Sequence, residues 1–392
     1  MTDKYWVKGT GLISDYANHL SLTSGGELGA SPLTGEDNLI IDELSHLLAL
    51  INLWTWGDNL RGQLGDDTTT DRDEPIQIMS DTWKYLAGGG RHSLAISDDD
   101  ELWAWGLNTD GQLGDGSIVD KLVPVQIGSA SWKSITAGSE HTLGILDDDT
   151  LWAWGYNGIG QLGDGSDVTK ISPVQIGSST WKAITGGENH SLGILSDDTL
   201  WAWGSNSDGQ LGDGTEINRW SPVQIGSSTW KYIAAGDYHS VGILSDDTLW
   251  AWGINYQGQL GDGTTTAKIS PVQIGSSTWK TITAGALYTL AILSDDTLWA
   301  WGYNTSGQLG DGTKTDRKSP VQVGSSTWKY ITAGGWHSLG ILNDDTLWAW
   351  GSNSDGQLGD GTIVSRNVPT QIGVAHWEKI SAGEYHSLAI GG

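Results

Sequence analysis

The sequence predicts an all-β fold: a seven-bladed β-propeller with four-stranded blades, closed by pairing of its N- and C-terminal repeat strands. Three observations predict it. A Trp-x-Trp-Gly string returns at a constant interval of 49 residues. About four strand-like segments fill each interval, with no amphipathic helix inside it. Each unit also carries one bulky and one small face, so it cannot bury its apolar surface alone and must stack on a neighbour.

The elements follow in order. Leu-Trp-(Ala/Thr)-Trp-Gly begins at Leu53, Leu102, Leu151, Leu200, Leu249, Leu298 and Leu347. Its alternation places both tryptophans on one sheet face and Leu, Ala and Gly on the other. Gly-Gln-Leu-Gly-Asp follows, from Gly62 to Gly356. Pro-Val-Gln-Ile and Thr-Trp-Lys, or close variants, read as two short strands, the second marked by Trp83, Trp132, Trp181, Trp230, Trp279, Trp328 and Trp377. Ala-Gly-x-x-His-Ser-Leu-Gly-Ile-Leu, then Ser-Asp-Asp-Thr, then the next Leu-Trp-Ala-Trp-Gly reads as a hairpin with a polar turn. Of 24 Trp, 21 occupy repeat positions. A buried indole removes roughly 150–250 Å² from water, about 4–6 kcal/mol gross at ~25 cal/mol per Å². The repeated tryptophans are therefore read as mortar between units.

The ends suggest how the ring closes. The chain stops at His-Ser-Leu-Ala-Ile-Gly-Gly without its own Trp-x-Trp partner. Ser387–Ile390 is expected to pair with Leu53–Trp56. Residues 53–392 then form the propeller, and residues 1–52 an extension packed outside it. Ile40, Leu44, Leu47, Leu48 and Ile51 stand at helical spacing.

Composition excludes several functions. The net charge is −27, with 20 Lys and Arg against 47 Asp and Glu. Phosphate binding needs clustered cations, so no nucleic-acid partner is expected. The same charge repels anionic membranes, and the longest apolar run, at 47–54, is too short to span a bilayer. No secretory signal is read at the start. There is no cysteine, hence no disulfide or thiolate chemistry. No nucleophile motif or phosphate-cradling loop appears, so the protein is read as non-enzymatic and without a cofactor. Asn-Thr-Asp-Gly at 108–111 lacks the spacing and closing Glu of a calcium loop; its glycines are read as turn formers. His92, His141, His190, His239, His337 and His386 are repeat equivalents, with Tyr288 in the seventh place. They are read as structural, bonded to neighbouring backbone, and no metal site is assigned.

The string Trp-Gly-x-Asn-x-x-Gly-Gln-Leu-Gly-Asp-Gly, with Ala-Gly-x-x-His-Ser downstream, resembles the repeat of the regulator-of-chromosome-condensation family. The resemblance covers about 340 residues, from Leu53 to the C-terminus. It implies a seven-bladed propeller in a family that includes the Ran nucleotide-exchange factor and the plant UV-B photoreceptor. The exchange factor uses an inserted wedge and a basic tail, and the even spacing here holds neither. Residues 1–45, opening Tyr-Trp-Val-Lys-Gly-Thr-Gly, resemble the openings of tailed-phage structural proteins, which implies a virion or extracellular surface setting.

Variation between repeats points to the binding residues, because a repeated scaffold is decorated where it varies. The pair before each His reads Gly90-Arg91, Ser139-Glu140, Glu188-Asn189, Asp237-Tyr238, Ala286-Leu287, Gly335-Trp336 and Glu384-Tyr385. In the resembled family these positions lie on one face of the disc, near its centre. The photoreceptor self-associates there through Trp-Arg pairs, of which only Arg91 and Trp336 have counterparts here, in different blades. Tyr238, Leu287, Trp336 and Tyr385, flanked by Arg91, Asp237 and Glu384, are assigned to a protein or glycan partner. The expected function is a binding or structural propeller, a virion or surface component in contact with other virion proteins or with itself. Regulation of a small GTPase and carbohydrate binding are the alternatives.

Overall fold

The computed structural model describes residues 52–392. The expectations for residues 1–51, including the helical spacing at 40–51 and the phage-like opening, lie outside the described residues. Every regular element described is a β-strand.

The unit repeats as its sequence does. In one, the second part of the strand Lys170–Gly186 pairs antiparallel with His190–Leu195, and that with Thr199–Gly204. Thr199–Gly204 then pairs with the first part of Arg219–Ala235. His190 faces Gly204, Ser191 faces Trp203 and Leu192 faces Ala202. The Pro-Val-Gln-Ile and Thr-Trp-Lys segments were expected as separate strands. They are separate in two stretches, Arg72–Ser80 with Trp83–Gly88 and Lys121–Gln126 with Trp132–Ala137. From Lys170 onward they fuse into continuous 17-residue strands. One strand thus serves two successive sheets. A left-handed glycine such as Gly226, at φ 62° with open space around it, turns the chain between them.

The first described strand, Asn52–Gly57, lies between Arg72–Ser80 and the C-terminal strand His386–Gly391. Leu53 faces Ile390, Thr55 faces Leu388 and Gly57 faces His386.

The hairpin turns show why Ser-Asp-Asp-Thr recurs. Asp197 accepts hydrogen bonds from the Thr199 amide at 3.0 Å and hydroxyl at 2.6 Å. Asp198 stands at φ 67°, a conformation Asp tolerates better than most residues. Its carboxylate then meets Lys182 of the adjacent strand at 2.5 Å.

The core sits between units. Leu249, Ala251 and Ile243 of one sheet pack against Trp279, Trp299 and Trp301 of the next. Leu53, Leu388 and Ile390 receive Trp83 and Trp105 in the same way. Trp279 and Trp301 cross edge to face at 5.8 Å, a favourable aromatic geometry.

Polar bonds tie the same units together. Each of the six histidines lies fully buried, with Nε2 on the Ser or Thr hydroxyl of a neighbouring unit. His141 reaches Ser191 at 2.9 Å, His190 reaches Ser240 at 2.9 Å and His386 reaches Ser93 at 2.8 Å. This corrects the expected backbone partner. The hydroxyl already donates to a main-chain carbonyl, as Ser240 does to Gln210 at 2.8 Å. Its remaining role is to accept, so Nε2 carries the imidazole proton. Tyr288 replaces one such bond by donating its hydroxyl to the carbonyl of His337 at 2.5 Å.

Two outcomes are expected. Ser240→Ala strips the buried His190 N–H of its acceptor and should cost about 1–3 kcal/mol in a denaturant titration. Burial also drives the histidines from 6.5 down to about 3, or about 4 for His141. Their folded pKa values lie below the unfolded ones, so the unfolded chain binds more protons in that interval. The histidines' contribution should be level above about pH 6.5 and should lower stability as pH falls from there towards 3. Circular dichroism against pH at fixed temperature measures it. Acid loss confined below pH ~4, the carboxylate range, would contradict it.

Candidate functional site

The candidate site is built on the turns that lead into each histidine strand. In Gly236-Asp237-Tyr238-His239 the Gly236 amide donates to the His239 carbonyl at 2.9 Å, pinching the turn so that the middle pair forms its tip. Glycine is required at the first place. A Cβ on Gly187 would lie 2.4 Å from both the Gly236 carbonyl and the His190 ring. The tips bond to each other in series: Asp237 N–H to Ala286 O, Ala286 N–H to Gly335 O and Gly335 N–H to Glu384 O, then Glu384 N–H to Gly89 O at 3.1 Å.

The two members of each pair separate. The first members, Gly90, Ser139, Glu188, Asp237, Ala286, Gly335 and Glu384, all line one cavity of about 270 Å³ whose other walls are mostly small residues. The second members stand outside it and form a rim. The structure therefore divides the sequence-assigned residues. Asp237 and Glu384 belong to the cavity; Arg91, Tyr238, Leu287, Trp336 and Tyr385 belong to the rim, all of them half-buried.

Two groups form on the rim. Arg91 lies 3.5 Å from Asp58 and 5.7 Å from the centre of the Tyr385 ring. Trp336 meets Tyr303 edge to face at 5.5 Å and hydrogen-bonds to the Tyr385 hydroxyl. Tyr238 stands apart, with its hydroxyl on Glu188. The Leu287 carbonyl accepts the Tyr303 amide at 2.9 Å, but its side chain joins neither group. Sequence reasoning passed over Asp58, Tyr303, Glu140 and Glu188. The last two stood in the row of variable pairs and were set aside in favour of aromatics. Asp58 and Tyr303 each follow the Trp-Gly of a strand that ends beside a histidine turn, a register visible only once the strands are paired.

Electrostatically the cavity is one-sided. Burial, then Glu384 and Glu188, push the Asp237 carboxyl up to about 8. Burial raises Glu384 as well, against the opposing pull of the Tyr385 hydroxyl and Arg91. Burial raises Glu140, helped by Asp110 and Glu188. Burial pushes the Tyr385 phenol up to about 12, and its bond to Glu384 adds to this. The hydrogen bond to Glu188 raises Tyr238, with burial second.

The Asp- and Asn-rich loops are self-contained. The Asn108 side-chain amide donates to Asp115 and to the carbonyls of Ser117 and Val119, while its oxygen accepts the Leu113 amide. Asp115 meets Lys121 at 2.9 Å. Among the described residues no three His, Asp or Glu side chains gather as metal ligands would.

Comparison with known proteins places this geometry. Residues 42–281 match the RCC1-like domain, and 295–341 and 344–390 match the regulator of chromosome condensation (RCC1) repeat. A second description of that repeat matches 279–308 and 328–357. No protein of curated function matches the sequence. Human WBSCR16 superposes with a TM-score of 0.79 at 19% identity, over 87% of this chain and 98% of its own. Prp20p of Saccharomyces cerevisiae, described with its binding to Gsp1p and histones, gives 0.79 at 20% identity, over 87% and 91%. Yeast RCC1 (Prp20) bound to Kap60 gives 0.79 at 18% identity, over 95% and 96%. These likenesses establish the all-β propeller fold.

The raised Asp237 carboxyl has a consequence for stability. Its folded pKa lies above the unfolded value, so its contribution is present below pH ~3.8 and is lost as pH rises through about 8. Asp237→Asn should therefore raise the melting temperature, with a gain that grows between pH 5 and pH 9 and amounts to one or a few kcal/mol (~1.4 per pKa unit). Differential scanning calorimetry across that range checks it.

Proposed function

The chain belongs to the RCC1-like domain family, and from that premise we propose that it is a protein-binding propeller that regulates a small GTPase. Its seven units form seven blades, closed where Asn52–Gly57 meets His386–Gly391; the pairing of Leu53 with Ile390 and the His386–Ser93 bond support this. It acts by contact rather than by bond-making chemistry. The observation that carries the reading is the rim at the histidine end, where Trp336, Tyr303 and Tyr385 form a contiguous aromatic group. Large, partly buried aromatics held in place by neighbours are the usual anchors of protein interfaces. Prp20p, which binds Gsp1p and histones, and RCC1 in complex with Kap60 favour a protein partner over a glycan.

One observation favours a second reading. The constant 49-residue spacing leaves no inserted element to pry a nucleotide site open. A static binding module, on a virion or cell surface, would need none.

Nucleotide release separates the two. A panel of small GTPases loaded with fluorescent GDP should include one whose release rises at least tenfold with catalytic amounts of the chain. Trp336→Ala should reduce that acceleration by about thirtyfold, the value of a ~2 kcal/mol anchor. Binding without acceleration would overturn the regulator and leave the static module.

A further inference from the structure

We propose that the central cavity is a socket for a single lysine or arginine side chain presented by a basic protein segment. The inference takes the histidine end as the docking face and adds the chemistry of what enters it.

The cavity gathers carboxylates and leaves them without cations. Glu188, Asp237 and Glu384 come from three different units and all line it, and Glu140 stands next to Glu188. They feel one another: Glu384 and Glu188 act on Asp237, and Glu188 and Glu140 act on Glu384. Arg91 is the cation closest in influence, but it is committed to Asp58 and lies over Tyr385.

Two observations independent of the charge count point to a missing partner. One oxygen of Glu188 is buried with no hydrogen bond, while the carboxylate is also the acceptor of Tyr238. Asp237, half-buried, has a carboxylate with neither a hydrogen bond nor an ion pair among the described residues. Buried carboxylate oxygens are costly unless paired. Other buried side-chain atoms among the described residues also lack partners, but they are all nitrogens of Trp, His and Gln; the one carboxylate oxygen among them is that of Glu188, in this cavity.

The geometry selects the class of cation. The carboxylates do not converge closely enough to ligate a metal. They ring a space of about 270 Å³ that suits one long side chain and excludes anything with a fold of its own. A guanidinium or ammonium group on a flexible stem can spread its donors over several separated acceptors. Glycine and alanine walls at Gly138, Gly187, Gly236 and Ala286 leave that stem room to pass.

The experiment must separate a socket from the general attraction of a chain with net charge −27. The probe is a fluorescent glycine–serine peptide with two central arginines, with the same peptide carrying glutamines as its control. Anisotropy at fixed ionic strength should give one arginine peptide bound per chain, and the glutamine peptide should bind at least tenfold more weakly. The triple variant E188Q/D237N/E384Q should lose at least tenfold in affinity. The charge-matched variant D148N/D197N/D246N, altered in the hairpin turns at the other end of the strands, should bind as the parent does. Equal losses in both triple variants, no loss in the first, or no preference for arginine would each overturn the socket. Melting temperatures confirm that both variants fold, and the glutamine and asparagine changes in the cavity should not lower them. The regulator reading fails separately, through nucleotide release and Trp336→Ala, neither of which involves the arginine peptide.

Discussion

The structure depends on a main-chain carbonyl, that of the glutamine in Gly-Gln-Leu-Gly-Asp. The Gln63 carbonyl accepts the Trp105 indole N–H at 2.8 Å and the Ser93 hydroxyl at 2.7 Å. Gln112 does the same for Trp154 and Thr142, and Gln357 for Trp56 and Ser387. One carbonyl has two lone pairs, and here both are spent on the adjoining unit. The serine or threonine so fixed then accepts the histidine of another unit. A loop, an indole, a hydroxyl and an imidazole are thereby locked in a single buried chain. Each link is modest, about 1 kcal/mol net, but none can be removed without stranding the next.

This explains why the repeat is so uniform. The glutamine side chain accepts an amide two residues earlier, as Gln112 does from Asp110, and so shapes the loop that presents its own carbonyl. Glycine is needed where the chain touches a neighbour's backbone: a Cβ on Gly204 would fall 2.6 Å from the Asn189 carbonyl. An insertion in any of these segments would move an acceptor away from two donors at once. The even 49-residue step is then a packing constraint, and the 24 tryptophans are divided by it. The second of each Trp-x-Trp pair is fully buried, whereas the first is only partly so.

Much of the fold was legible because period and alternation are properties of the chain itself. The tryptophan face, the hairpin at Ser-Asp-Asp-Thr and the structural histidines all follow from residue type and spacing. What could not be read were the long-range partners. The histidines were assigned to backbone because nothing in the sequence shows that His190 Nε2 will find Ser240, 50 residues on. The fused 17-residue strands were read as two because Gly-Ser-Ser looks like an interruption. At the site, the row of variable pairs was visible. Its division into cavity and rim was not, since it arises from the inward pinch of each turn. Aromatic residues attracted the assignment, and Glu188, which shares the cavity with Asp237 and Glu384, was passed over.

A scaffold whose units are locked by these repeated buried bonds confines function to what the bonds do not use. The tips of the histidine turns are such places: their backbone is bonded from unit to unit, so their side chains are free to vary. The choices made there run against stability. Asp237 is kept in a position where burial and two neighbouring carboxylates oppose its charge; Ser139, Ala286 and Gly335 show that small neutral residues suit the same place. A residue retained at a cost where cheaper ones fit is best explained by an interaction made only when a partner is present. The rim supplies the apolar contact and the cavity the unmatched charge. Such a face needs an apolar patch with a cation at its centre, and that requirement follows from the turns alone, whichever class of protein meets it.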